Sequence, residues 1–344
     1  MKMKLYFECN LFEEDNFKAN PSFDVTQDEI VLSNVKKNGD AIFQKQKVKY
    51  KCQWRMQKDF SPERPTIIMP SRNMSDLLKK TTKNLEEKNI VKHCNLILVD
   101  DRSDEDLEVI AKDYSYLRID NEKGFNFSML NNIGIMTCHN LGSKQAIIWN
   151  NDLWAVSENN FLELLSRHNT NNSSASGTKL IYPPKELSFI STEDSSNILE
   201  FFPTMSGKWR GTVQYAGTSF FPLSPKIQTL SPYHYKRFKQ PEDPTVNCDK
   251  GVDSLTGALM IVEIQDFIKV GGFNPSLSKN FQDTDFCLKL IEDNKKCYYF
   301  GKDLFFYHDE SVSLSGSKIG DKQLTSDEIL FGKIWNNKIS KMVF

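Results

Sequence analysis

The chain has 344 residues, with 44 Lys and Arg against 45 Asp and Glu and a formal net charge of -1. That balance excludes a protein that coats nucleic acid through its overall field. With 39% hydrophobic and 12% aromatic residues and a mean hydropathy of -0.49, the composition suits a large core and excludes a disordered, collagen-like or polytopic membrane chain.

The first 60 residues form two charge blocks. Residues 1–35 hold 3 Lys against 7 acids, and residues 36–58 hold 8 basic residues against one Asp. In the second block Lys45, Lys47, Lys49 and Lys51 alternate with Gln46, Val48, Tyr50 and Cys52, the period of a strand with one Lys-rich face. Such a face reads either as an edge strand guarded by Lys or as a contact with anionic lipid or a polyanionic acceptor.

From Arg64 onward, short apolar strands alternate with amphipathic stretches. Strands are expected at Thr66–Met69, Asn95–Val99, Tyr116–Ile119 and Gln145–Trp149, with helices over Ser75–Lys88, Asp104–Lys112, Phe127–Thr137 and Ser157–Arg167. This βαβα order implies an α/β fold with a mostly parallel sheet flanked by helices, whose ligands bind beyond the carboxyl ends of the strands. After Asn169 the alternation weakens, with strand-like pieces at Thr178–Tyr182 and Val213–Phe221. It returns with Ala258–Val262, a short helix, a helix over Asp283–Glu292, strands around Tyr298 and Phe305, and a tail helix over Ser326–Ile339 with Ser326 as its expected N-cap. The expected division is a β-rich extension over 1–62, a catalytic domain over 63–315 and a helical tail over 316–344.

Seven Cys without a C-x-x-C pair indicate neither a zinc knuckle nor a disulfide framework, and point to a reducing compartment. The longest apolar strings, Thr66–Met69 and Leu96–Val99, fall far short of the roughly 18 residues of a membrane span. A cytoplasmic location is expected, peripheral at the inner face of a membrane if residues 36–58 meet lipid. An oligomer is compatible with the sequence.

Two strands end in acids: Asp100–Asp101 after Leu98–Val99, and Asp152 after Ile147–Asn151. At one sheet edge these carboxylates could share a hard divalent cation with phosphate oxygens, or each could serve as a turn or helix cap. A third cluster sets Gly271–Gly272–Phe273 before Asp283 and Asp285 at a helix start. Those acids are either favourable dipole charges or a carboxylate able to take a proton from a hydroxyl. His308 follows the aromatic strand Leu304–Tyr307 and can be structural or functional.

The joint order of these segments resembles the inverting family 2 glycosyltransferases of the GT-A fold, including capsule and O-antigen members. Thr66 to Asn73 is similar to their opening strand and P-x-x-N turn, Val99 to Ser103 to V-D-D-x-S, and Gly124 to Gly134 to F-N-F-S-x-x-N-N. Asn150–Asn151–Asp152 stands where the family has its D-x-D variant. Val213 to Gly217 resembles a mid-domain A-G segment, Ser254 to Ala258 the T-G-A strand, and Gly271 to Leu288 the G-G-F-D…E-D-x-D-x-C-L element. His308 with Ser311 and Ser313 is similar to H-x-x-S, and Phe331 to Trp335 to a K-W tail. The resemblance covers about residues 64–340, and residues 1–60 match nothing in it. Asn274 and Gln282 depart from the pattern, standing where the family has Asp and Glu.

The resemblance implies sugar transfer with inversion from a UDP- or dTDP-sugar to a hydroxyl of a glycan or lipid-linked glycan, in surface polysaccharide biosynthesis. It places Pro70, Ser71, Asp100, Asp101, Asn132 and Asn151 at the donor nucleotide, Asp152 and His308 at Mn2+ or Mg2+, and Asp283 as the base. Gly257, Asp285 and Trp209 fall on the acceptor side, with Asp285 as a fallback base. Trp209, Tyr215, Tyr233, His234 and Tyr235 either stack on sugar rings or fill the core. Losing the acidic neighbour at Gln282 is expected to lower the pKa of Asp283. Rival readings are a nucleotidyltransferase, which needs a Gly-rich loop where Pro70–Asn73 stands, and a non-catalytic glycan-binding scaffold on the same fold, for which Gln282 is the hint. No G-x-G-x-x-G or G-x-x-x-x-G-K-[ST] segment follows a strand.

Overall fold

A computed structural model describes residues 3–6, 9–12, 17–19, 22–25, 29–38, 42–121, 124–189, 209–224, 227–309 and 320–343. The chain opens with strands β1 (Met3–Tyr6), β2 (Cys9–Phe12), β3 (Phe17–Ala19), β4 (Ser22–Val25), β5 (Glu29–Asn38) and β6 (Ile42–Arg55). The βαβ region follows: β7 (Thr66–Ser71), α1 (Ser75–Glu87), β8 (Asn95–Asp101), β9 (Ser115–Ile119), α2 (Phe127–Asn140), β10 (Gln145–Trp149), β11 (Leu153–Trp154) and α3 (Glu158–Asn171). Next come β12 (Ala175–Ile181), β13 (Val213–Tyr215), β14 (Thr218–Ser224), β15 (Ile227–His234) and β16 (Asp249–Gly251). The chain closes with β17 (Leu259–Glu263), α4 (Ile264–Lys269), α5 (Gln282–Glu292), β18 (Cys297–His308) and α6 (Gly320–Val343).

The central sheet runs β9-β8-β7-β10-β17-β12-β18-β11. Strands β9, β8, β7 and β10 are mutually parallel, and β17 enters antiparallel between β10 and β12. Strand β6 pairs antiparallel with β9, Cys52 opposite Ile119, and continues the sheet through β5, β4 and β1. The parallel strands are buried almost throughout, as strands covered on both faces must be, and Ile67, Ile68, Ile97, Val99, Ile147 and Ile148 belong to the core. No described helix is long and apolar enough to cross a membrane.

Four sequence expectations give way to tertiary contacts. The segment Asp104–Lys112 is a run of turns. The Arg55 guanidinium takes the carbonyls of Ala111, Lys112 and Tyr114 and draws the end of the segment to β6, and Glu105 turns back to accept the first N–H groups of α1, from Met74 and Ser75. Val213–Phe221 is two strands, broken at Gly217 with φ +103°, a left-handed backbone open mainly to glycine. The strands around Tyr298 and Phe305 are one, β18, whose register against β12 jumps from Phe300 to Phe305. Finally, α6 already begins at Gly320, so Ser326 lies within it rather than at its cap.

Helix α2 is buried from Ser128 to Cys138 because it is covered twice, by the sheet beneath and by the 273–278 loop above. Toward the sheet, a Cβ on Gly134 would overlap Ile68 Cγ2 and stand 3.1 Å from Val99 Cγ2. Gly134→Ala should therefore lower stability by about 1–3 kcal/mol through overpacking. Urea unfolding should show a lower midpoint at unchanged slope; an unchanged midpoint would mean the helix has room.

Candidate active site

Strands β7, β8 and β10 end at one edge, where register sets Ser71 beside Asp100 and Pro70 beside Val99. Asn151 reaches Ser71 Oγ at 3.5 Å, so Pro70, Ser71, Asp100, Asp101, Asn151 and Asp152 stand at or just past the same sheet edge. The two neighbouring acids differ in what is left to them. Asp100 accepts from the Tyr116 hydroxyl (2.6 Å), Arg118 (3.0 Å) and the Ser103 N–H (2.9 Å), so its acceptor capacity is spent inside the protein. Asp101 is equally buried, and Arg72 and Asn121 approach its carboxylate without a well-formed hydrogen bond. Its charge is met by Arg72 at 3.5 Å. Burial pushes its carboxyl above the ordinary range against the pull of Asn121 and Arg72. A buried, unsatisfied carboxylate is costly, and at a strand end it is a ligand-seeking group.

Asp152 repeats that pattern. Its Oδ1 is buried without a hydrogen-bond donor and lies 3.0 Å from His308 Nε2, which the end of β18 delivers by pairing with Leu153 on β11. His308 Nδ1 lies 2.9 Å from Gln214 Oε1. Among the described residues no three His, Cys, Asp or Glu side chains group to hold a metal by themselves. The donor set still fits a divalent cation, because one carboxylate oxygen and one imidazole nitrogen suffice when diphosphate oxygens and water complete the shell. Ser311 and Ser313 lie outside the described residues.

The acceptor-side residues gather elsewhere. Asp283 sits in the first turn of α5 and accepts from the Gly257 N–H (2.8 Å) and the Thr284 N–H (2.8 Å). Gly257 must be small here, since a Cβ would stand 3.1 Å from the Phe127 ring. Asp283 lines a cavity of about 170 Å³ with Thr218, His234, Thr256, Lys279 and Gln282. Burial raises its pKa, opposed by those two N–H groups and by His234. The lowering expected from the Gln282 replacement is thus outweighed by desolvation. A larger cavity, about 250 Å³, lies at the amino end of β8 beside Cys94 and Tyr114, away from these groups.

Three expected site residues are engaged in holding the structure. Asn132 donates to the Phe273 carbonyl (2.8 Å) and accepts from its N–H (3.0 Å), so it clamps the Gly-rich loop onto α2 instead of facing a nucleotide. Asp285 is buried, paired with Lys289 at 2.9 Å and accepting from Trp335 Nε1 at 2.9 Å. Both contacts tie it to the packing of α5 and α6, although its Oδ2 lacks a well-formed hydrogen bond. Trp209 stacks on Phe238 at 4.3 Å and does not line the cavity. Tyr215 is fully buried, its hydroxyl on the Ser254 carbonyl, whereas Tyr233 and His234 reach the cavity wall.

With this geometry, known proteins are informative. No family model matches the sequence, and no curated protein matches it. Among solved structures the chain is similar to GalNAc-T7 with UDP, GalNAc and Mn2+, at 13% identity and TM-score 0.50 over 73% of this chain and 44% of that one. The fold is that of the GT-A glycosyltransferases. A second similar structure is the mannosyltransferase PcManGT from Pyrobaculum calidifontis in complex with GDP-Man and Mn2+, at 12% identity and TM-score 0.44 over 73% of this chain and 59% of that one. The chain spans less than two thirds of either protein.

Within this GT-A fold, two residues escaped sequence reasoning. Gln214 looks like an ordinary strand residue until β13 sets it against His308. Asp327 lies in α6, and its carboxylate accepts from the Lys279 and Asn280 N–H groups at 3.1 Å, fastening the loop that walls the cavity. Its only sequence trace is an acid ahead of the apolar face of the tail helix.

Proposed function

We propose that the protein is a metal-dependent glycosyltransferase that moves a sugar, with inversion, from a UDP- or dTDP-sugar to a hydroxyl of a glycan or lipid-linked glycan. The observation that carries this reading is the set of buried, unsatisfied carboxylate oxygens of Asp101 and Asp152 at the strand ends of a GT-A sheet. The motif order of the sequence supports family 2 and a role in surface polysaccharide assembly at the cytoplasmic face of a membrane, with the Lys-alternating strand as a membrane contact.

Asp101 would orient the nucleoside, being the acid of its pair with unspent acceptors. Asp152 and His308 would hold Mn2+ or Mg2+, which supplies Lewis-acid neutralisation of the charge growing on the departing diphosphate. Asp283 would take the proton of the acceptor hydroxyl while that oxygen bonds to the anomeric carbon and the diphosphate leaves with the electrons of the broken bond. Its two N–H donors hold the carboxylate in place, and the raised pKa makes it a better proton acceptor than an ordinary carboxylate.

A thermal-shift screen of nucleotide sugars with and without Mn2+ tests the donor class. A donor at 100 times its Kd should stabilise the fold by about 2.7 kcal/mol, and only when Mn2+ is present. Stabilisation by neither UDP- nor dTDP-sugars would refute the assignment.

A further inference from the structure

Gln214 touches both halves of the site. Its amide oxygen lies 2.9 Å from His308 Nδ1, and its main-chain carbonyl lies 3.1 Å from His234 Nδ1. A main-chain carbonyl can only accept, so His234 carries its proton on Nδ1, and the Gln214 amide, presenting its oxygen, asks the same of His308. For His308 a second contact agrees, because the Asn150 amide nitrogen, a donor, approaches Nε2 at 3.4 Å. The lone pair of His308 Nε2 then faces Asp152 Oδ1 at 3.0 Å. Two acceptors at that distance need a cation or a proton between them. His234, packed edge-on against Tyr215 at 5.2 Å, stands in the wall of the cavity that holds Asp283. Gln214 is 1% exposed, and it is held between Val213 and Tyr215, which pair with Ile181 and Leu180 of β12.

We propose that Gln214 is the positioning residue of the site: its side chain holds His308 in the Nδ1–H form with Nε2 aimed at Asp152, and its carbonyl holds His234 beside Asp283. The proposal rests on the metal reading above for its consequence, but not for its geometry. Residues that hold the far nitrogen of a ligating histidine set its tautomer and orientation, and losing one costs about 10–100-fold in metal affinity.

The test uses the full chain and two readouts. In the unmodified protein at fixed neutral pH, long-range proton–nitrogen correlation spectra should show His308 and His234 both protonated at Nδ1. His308 protonated at Nε2 and not at Nδ1 would overturn the proposal, whether or not the protein binds metal. In Gln214→Leu, Mn2+ affinity measured by electron paramagnetic resonance should fall about tenfold or more. His234 should keep its Nδ1 proton, because its acceptor is main chain. Unchanged Mn2+ affinity in a folded Gln214→Leu protein would also overturn the proposal. Should that variant fail to fold, Gln214→Asn keeps the amide but falls one methylene short, and the same loss is expected. If the unmodified protein binds no Mn2+, the metal reading fails and the tautomer still judges Gln214.

Discussion

In Asp283→Asn, sugar transfer falls by about 10²–10⁴-fold, the range for removing a general base, while nucleotide diphosphate binding is kept. The separation follows from position: Asp283 lines the cavity with Thr256 and His234, whereas the strand-end carboxylates do not line it. The amide is nearly isosteric and can still accept one of the two N–H groups, from Gly257 or Thr284. Turnover and nucleotide titration on the same preparation check it, and equal turnover would remove Asp283 from the chemistry. The pH profile sharpens the test. Burial raises the Asp283 pKa from its ordinary 3.8, so the acid limb of kcat/KM should sit above the usual carboxylate range and vanish in the variant. Stability has the opposite sign. A carboxyl whose pKa is raised on folding binds its proton more tightly in the folded state, so its contribution is present at low pH and is lost as pH rises through the raised value. Relative to the natural protein, Asp283→Asn should gain stability across that window.

In Asp152→Ala, Mn2+-dependent binding of nucleoside diphosphate disappears and transfer falls by at least the several kcal/mol that a bound metal supplies to charge stabilisation. Folding should survive, because the side chain lost carries an unsatisfied buried oxygen and the main-chain carbonyl that accepts from Asp309 remains. Removing such a group relieves a desolvation cost instead of breaking a satisfied bond. Calorimetric titration of UDP with and without Mn2+ reads the outcome. Retention of the metal-dependent increment would move the cation site off Asp152. The paired carboxylate Asp100 is the contrast: Asp100→Ala strands Tyr116 and Arg118 and should be felt first as lost stability.

The sequence by itself determined the parallel strands of the sheet and their order along the chain. The strands read at 66–69, 95–99 and 145–149 are buried throughout or nearly so, and a continuous apolar run between turn residues has few other uses in an α/β chain. It also located the sheet edge where acids accumulate, because the residue after a buried strand is fixed by counting. Only the tertiary structure decided which of those acids remain available. Asp100 and Asp101 are chemically identical neighbours, yet one is satisfied by Tyr116 and Arg118 from the adjacent strand β9 and the other is left with Arg72. Asn132 is spent on Phe273, 141 residues away, and Asp285 on Trp335, 50 residues away. The same holds for the absent helix at 104–112, whose Glu105 is spent on the N–H groups of Met74 and Ser75. Local periodicity records which face of an element is apolar. The saturation of a polar side chain depends on partners that arrive only when distant segments pack, and for that reason Gln214, between two buried residues of a three-residue strand, could be recognised only once His308 and His234 were seen on either side of it.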